Sequence, residues 1–147
     1  MVIIVCMIFT YFLKRIKRSL LVMKKFLLTL APLLYMGVIW TLSSFPADAI
    51  VETPFSFDDL LKESLHLIEF AILYWLIAFA LKAHNKWSER ASILAAIIAI
   101  LYGLTDEIHQ SFVPERSATI IDFVKDTTGV LISYYVAKRI WFKRENH

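Results

Sequence analysis

The chain has 147 residues, 59% of them apolar, and a mean hydropathy of +0.62, well above what a soluble domain carries. Three glycines and four prolines argue for helix over strand and for one compact unit. The lone cysteine, Cys6, excludes an internal disulfide and any cysteine-based metal cluster, and the net charge of +3 matters less than where it is placed.

Residues 1–13 are apolar but fall short of the roughly 20 that a spanning helix needs. The basic run Lys14, Arg15, Lys17, Arg18 follows them, which reverses the order of a secretory signal. Two readings fit. The segment is an interfacial anchor with its bases on the cytoplasmic surface. Or the natural start is Met23, because Met23-Lys24-Lys25-Phe26-Leu27 itself reads as the start of a bacterial membrane protein. Residues 1–23 are therefore set apart as an N-terminal extension, 24–141 as the transmembrane domain and 142–147 as a basic cytoplasmic tail.

Phe26 to Phe45 is the first clear span, free of charge, with Pro32 one turn in and Trp40, Thr41, Ser43 and Ser44 marking its far end. Residues 46–63 read as an acidic loop, Asp48, Glu52, Asp58, Asp59 and Glu63 against Lys62. Within it, Ser56-Phe57-Asp58-Asp59 has the shape of a capping box and predicts a short interfacial helix running into the next span. The second span, about 64–83, carries His66 and Glu69 on one face. The third starts near Ala91 and, extended to Phe112, is about 33 Å long. That length puts Asp106, Glu107, His109 and Gln110 in its last two turns. The fourth runs from about Thr119 to Trp141, with Asp122, Lys125 and Asp126 in its first two turns.

Lys and Arg alternate between the connecting segments. Six lie between Lys14 and Lys25, one in 46–63, three in 82–90, one in 113–118 and four at the C-terminal end. The positive-inside rule then places both termini and the 82–90 loop in the cytoplasm. The expected fold is all-α: a polytopic protein of the bacterial cytoplasmic membrane, with four transmembrane helices in a small bundle and both termini cytoplasmic.

That orientation brings polar residues of three spans to one depth, at the outer end. Ionisable side chains cost roughly 2.5–3.5 kcal/mol each at the bilayer centre, so they should face one another and not lipid. Asp106, His109 and Gln110 share a face by their i, i+3, i+4 spacing. Asp122 and Asp126 share another, which Gly129 and Ser133 continue as small residues that let a neighbouring helix come close. The convergent set is His66, Glu69, Asp106, Glu107, His109, Gln110, Arg116, Asp122 and Asp126. Asp106, Glu107, His109 and Asp122 are the candidates for catalysis. His66, Glu69, Gln110, Arg116 and Asp126 are the candidates for binding.

Across Tyr102-Gly103-Leu104-Thr105-Asp106-Glu107-Ile108-His109-Gln110, then Phe112-Val113-Pro114, Arg116, Asp122 and Gly129, the sequence resembles the VanZ-like family of small bacterial membrane proteins. The resemblance extends more weakly to Trp40-Thr41-Leu42-Ser43-Ser44 and to His66, so it covers about residues 24–141. Two positions depart from the family pattern: Glu115, where Gly is frequent between Pro and Arg, and Asp126, where Asn is frequent. The resemblance implies a role in the cell envelope or in the response to the glycopeptide teicoplanin. It brings no assigned catalytic chemistry.

Six acids, Glu69, Asp106, Glu107, Glu115, Asp122 and Asp126, stand against Arg116 and Lys125. In a low-dielectric region they cannot all be ionised alone; either some are protonated or a cation sits among them. Three functions fit. An enzyme would act on an envelope precursor or lipid head group, with Asp106, Glu107 or Asp122 as acid or base and Arg116 on a phosphate or carboxylate. An accessory protein would engage a cell-wall precursor, glycopeptide or partner helix without turnover. A small carrier would move a proton or cation; against it, the inner half of every span lacks an ionisable residue. No cofactor is identified and no metal ligand is assigned. His66, Glu69, Asp106, Glu107 and His109 do include donors that one divalent ion could use, but their spacing is no known metal motif. Nucleic acid is not a partner: the basic residues are accounted for by topology, and no Gly-rich phosphate loop occurs.

Overall fold

The computed structural model describes residues 2–46, 58–114, 116 and 118–141, with side chains described from residue 11 in the first stretch and from residue 66 in the second. Among these residues there are four helices and no strand: α1 (Val2–Ser43), α2 (Asp58–Ala83), α3 (Glu89–Gln110) and α4 (Ile120–Trp141). Three of them, over Tyr11–Ser43, His66–Ala83 and Glu89–Gln110, are long and apolar enough to cross a membrane. The protein is a helical membrane protein.

The helix expected to run from the acidic stretch into the second span is present, α2 beginning at Asp58. The expected capping residues Ser56 and Phe57, like the tail 142–147, lie outside the described residues. At the other end, α1 is one unbroken helix through the 23/24 boundary. Its 42 residues span about 63 Å, twice the hydrocarbon layer of about 30 Å. Residues 11–24 are exposed throughout, and α1 meets the bundle only beyond them, from about Thr29, whose Oγ1 lies 2.8 Å from His84 Nε2.

Large apolar side chains point outward and small ones inward, as expected where lipid replaces water around a bundle. Leu33, Leu34, Ile97, Ile98, Leu101 and Ile132 are exposed. The buried face of α3 runs Ser92, Ala95, Ala96, Ala99, Gly103, Asp106, Glu107, Gln110. That of α4 runs Asp126, Gly129, Val130, Ser133, Ala137. Each face packs with small residues along its length and turns acidic or polar at one end. Small residues let backbones approach, which is the main source of van der Waals attraction between helices in lipid. The closest approach is at Gly129, where an added Cβ would lie 2.0 Å from the Leu67 carbonyl oxygen. Phe70, Leu73, Tyr74 and Ala78 of α2 fill the centre, and the Tyr74 hydroxyl is hydrogen-bonded to Ser92 Oγ at 2.8 Å.

The α2–α3 connection is short and locally determined. Asn85 takes the left-handed conformation, with φ 55°, which asparagine tolerates. Its amide donates to Lys82 O at 3.0 Å and that of Lys86 donates to Leu81 O at 2.9 Å, closing a Schellman motif. Ser88 then caps α3, its side chain accepting from the Ala91 amide at 3.2 Å. The same end of the bundle holds Lys82 over the Trp141 ring, 3.9 Å from its centroid, and the Lys138–Glu89 ion pair. Antiparallel neighbours put the end of α1, the end of α3 and the start of α4 together at the opposite end, and there the polar residues gather.

Candidate functional site

Two groups of polar side chains occupy that end, and they differ in how well they are satisfied. The first joins α1 to the last turn of α3. Asp106, 1% exposed, accepts at Oδ2 from Ser43 Oγ (2.9 Å) and from Gln110 Nε2 (2.6 Å). Gln110 Oε1 in turn accepts from Arg116 Nε at 2.9 Å. Arg116 Nη1 donates to the carbonyls of Leu42 (3.0 Å) and Phe45 (2.9 Å). Leu42 lies in the last turn of α1, whose carbonyls lack intrahelical i+4 partners, and Phe45 lies two residues beyond the helix end. The guanidinium therefore ties the α3–α4 turn to the end of α1, and through Gln110 it is linked to the Asp106 carboxylate. Charge-assisted hydrogen bonds of this kind are roughly twice as strong as neutral ones.

His109 extends the same seam. Its ring stacks on Trp40 with centroids 4.0 Å apart, and Nε2 lies 2.9 Å from Ser44 Oγ. Asp106, His109 and Gln110 thus all meet α1, at Ser43, Ser44 and Trp40.

The second group lies between α2, α3 and α4 and has almost no donors. Glu107 is 7% exposed and Asp126 1% exposed. Neither oxygen of either carboxylate has a hydrogen-bond partner among the described residues. His66 Nδ1 is 3.4 Å from Asp126 Oδ1, close enough for an ion pair but without hydrogen-bond geometry, and that nitrogen is itself buried. His66, Glu107 and Asp126 each bring one donor atom within 4.8 Å of the others. A buried polar atom left without a partner costs about 1–3 kcal/mol, and a charged one more. Two acids converge here on one imidazole, whose Nδ1 stands at ion-pair distance from Asp126.

The remaining expected residues stand at the rim. Asp122 accepts from Thr119 Oγ1 (2.6 Å) and from Lys125 Nζ (3.0 Å), and its amide donates to Thr119 Oγ1 at 3.1 Å. This arrangement caps the start of α4. Glu69 is half-buried on α2, within electrostatic range of His66, Asp106, Asp126 and Arg116. Of the nine residues expected to converge, the structure gathers His66, Glu107 and Asp126 in one place. It puts Asp106, Gln110, Arg116 and His109 against α1, Asp122 in a cap and Glu69 between the groups.

Two partners of the site were not among the candidate residues. Ser43 marks the polar end of a span and belongs to the weaker part of the resemblance; its hydroxyl donates to Asp106. The Leu67 carbonyl, against which Gly129 packs, carries no side-chain signal at all.

The family model described as VanZ/LLP1 matches residues 1–142, further toward the N-terminus than the 24–141 stretch on which the motif resemblance rests. No curated protein and no solved structure matches the chain.

Proposed function

Because the chain belongs to the VanZ/LLP1 family, whose model spans nearly all of it, we propose that it is an envelope protein of the bacterial cytoplasmic membrane whose buried carboxylate group engages a cell-wall precursor, glycopeptide or lipid head group at the outer leaflet. In this reading α4 is the fourth span. It has the same 22 residues as α3, and its charges sit at its two ends, Asp122, Lys125 and Asp126 at one and Lys138 and Arg139 at the other. The positive-inside rule then puts Lys82, Lys86, Arg90, Lys138 and Arg139 in the cytoplasm and the polar end outside.

The observation that carries the proposal is the pair Glu107 and Asp126, buried with no well-formed hydrogen bond to any of the four carboxylate oxygens among the described residues. Structural polar residues in a bundle are hydrogen-bonded, as Tyr74 and Ser92 are. Residues kept at an energetic cost are the mark of a site. Binding is favoured over transport. Away from this end, the buried polar residues among those described are Ser92 and Ser133, neither ionisable, so no charged relay continues through the bundle.

The test is protection of a sensitive bacterial host against teicoplanin. Wild-type protein, Glu107→Gln and Asp126→Asn would be expressed at matched membrane levels. The wild type is expected to protect and both variants to lose at least tenfold of that protection. Variants that protect as well as the wild type would reduce the cluster to helix packing. A wild type without effect would remove the glycopeptide role.

A further inference from the structure

The unpartnered group has a composition that identifies its missing partner. Glu107 and Asp126 are more than nine-tenths buried, and none of their four oxygens accepts a well-formed hydrogen bond among the described residues. The one basic side chain beside them, His66, presents a buried Nδ1 that itself lacks hydrogen-bond geometry. Arg116 donates to Gln110 and to the main-chain carbonyls of Leu42 and Phe45, and Lys125 donates to Asp122. Three helices therefore deliver one nitrogen and two oxygen donors to a common point.

We propose that His66, Glu107 and Asp126 bind a divalent first-row transition-metal ion. The proposal deepens the outer-leaflet reading above and rests on it for the biological use of the ion. One imidazole with two carboxylates is a mixed nitrogen–oxygen donor set, which suits manganese, iron or zinc better than calcium, whose ligands are all oxygen. Ligand atoms around such an ion at bond lengths of about 2.0–2.2 Å stand about 3–3.5 Å apart. The His66–Asp126 separation of 3.4 Å already meets that spacing, and the full spread of 4.8 Å closes with side-chain rotation of about 1 Å. Three protein ligands leave at least one coordination position open, the arrangement that lets an ion take an oxygen ligand from outside the protein. An acid-rich pocket could in this way hold an anionic phosphate or carboxylate head group, which its bare carboxylates would repel. The sequence motif conceals the site because its ligands come from three helices and no two are at a metal-motif spacing.

The test uses the full chain purified in detergent, stripped with a chelator and titrated with Mn²⁺ alone, free Mn²⁺ being read by electron paramagnetic resonance. One Mn²⁺ per chain is expected. His66→Ala and Asp126→Asn should each weaken binding at least tenfold, with Glu107→Gln as a conservative third variant should either fail to fold. Glu89→Gln, which removes an exposed acid at the opposite end, should bind like the wild type. Substoichiometric Mn²⁺, or binding that survives His66→Ala and Asp126→Asn, overturns the metal site. If no ion binds while level-matched variants still lose protection, the ion is refuted and the outer-leaflet site stands. If the ion binds as expected and the same variants protect fully, the metal site stands and its envelope role falls.

Discussion

Gly129→Ala is expected to destabilise the bundle by about 3 kcal/mol or more, at or beyond the upper end of what overpacking costs. The added Cβ would sit 2.0 Å from the Leu67 carbonyl oxygen and 3.0 Å from its carbonyl carbon. Backbone on both sides leaves no flexible side chain to yield, so α2 and α4 would have to separate. These two helices form the most extensive pair in the bundle, and they also carry His66 and Asp126. Gly103→Ala supplies the contrast. There a Cβ meets Phe70 Cε1 at 3.4 Å and Asp126 Cβ at 3.5 Å, near ordinary contact. The helix-propensity gain of about 1 kcal/mol offsets any crowding, so near-neutral stability is expected. Unfolding in detergent by heat or by sodium dodecyl sulfate would read both. A Gly129→Ala variant as stable as wild type would mean that the helices do not approach this closely.

Neutralising the unpartnered acids should do the opposite to stability while removing function. Glu107→Gln and Asp126→Asn keep shape and remove a carboxylate that accepts no well-formed hydrogen bond among the described residues. In chelator-treated protein each is expected to leave the melting temperature unchanged or to raise it, by about 1 kcal/mol, or about 2–4 °C for a chain of this size. Asp106→Ala should act the other way. It strips the acceptor from Ser43 and Gln110 inside a buried network and should cost about 1–3 kcal/mol. A fall in stability for Glu107→Gln matching that of Asp106→Ala would place Glu107 among the structural hydrogen-bonding residues.

These contrasts also mark what could be read from the chain. Apolar runs of the right length, ended by Ser and basic residues, predicted the last two helices to within a few residues, Ile120–Trp141 against an expected 119–141 and Glu89–Gln110 against 91–112, whereas α1 begins well before the expected Phe26. The capping-box pattern in the acidic stretch 46–63 predicted a helix running into the second span, and α2 does start at Asp58, acidic residues being favourable in a first helical turn. Depth in the membrane could be counted along each helix, so polar residues from separate helices could be placed at one end. Which of them touch could not, because that depends on the rotation of each helix about its axis. Adjacent residues Asp106 and Glu107 show the limit. One turns to Ser43 of α1 and the other to His66 and Asp126. Nothing in the order Asp-Glu distinguishes them. Arg116 was read as an anion holder from its place beside acids; the partners it has, Gln110 Oε1 and the main-chain carbonyls of Leu42 and Phe45, could not be read because two of them carry no side-chain signal.

An outer-leaflet role requires the polar end to face outward, and cysteine accessibility in intact cells tests that directly. With Cys6 replaced by serine, Phe112→Cys would sit in the exposed turn after α3, and Lys86→Cys in the exposed turn at the other end of the bundle. A membrane-impermeant maleimide should label Phe112→Cys in intact cells and Lys86→Cys only after permeabilisation. The reverse pattern would put the His66, Glu107 and Asp126 group on the cytoplasmic side and contradict an outer-leaflet role.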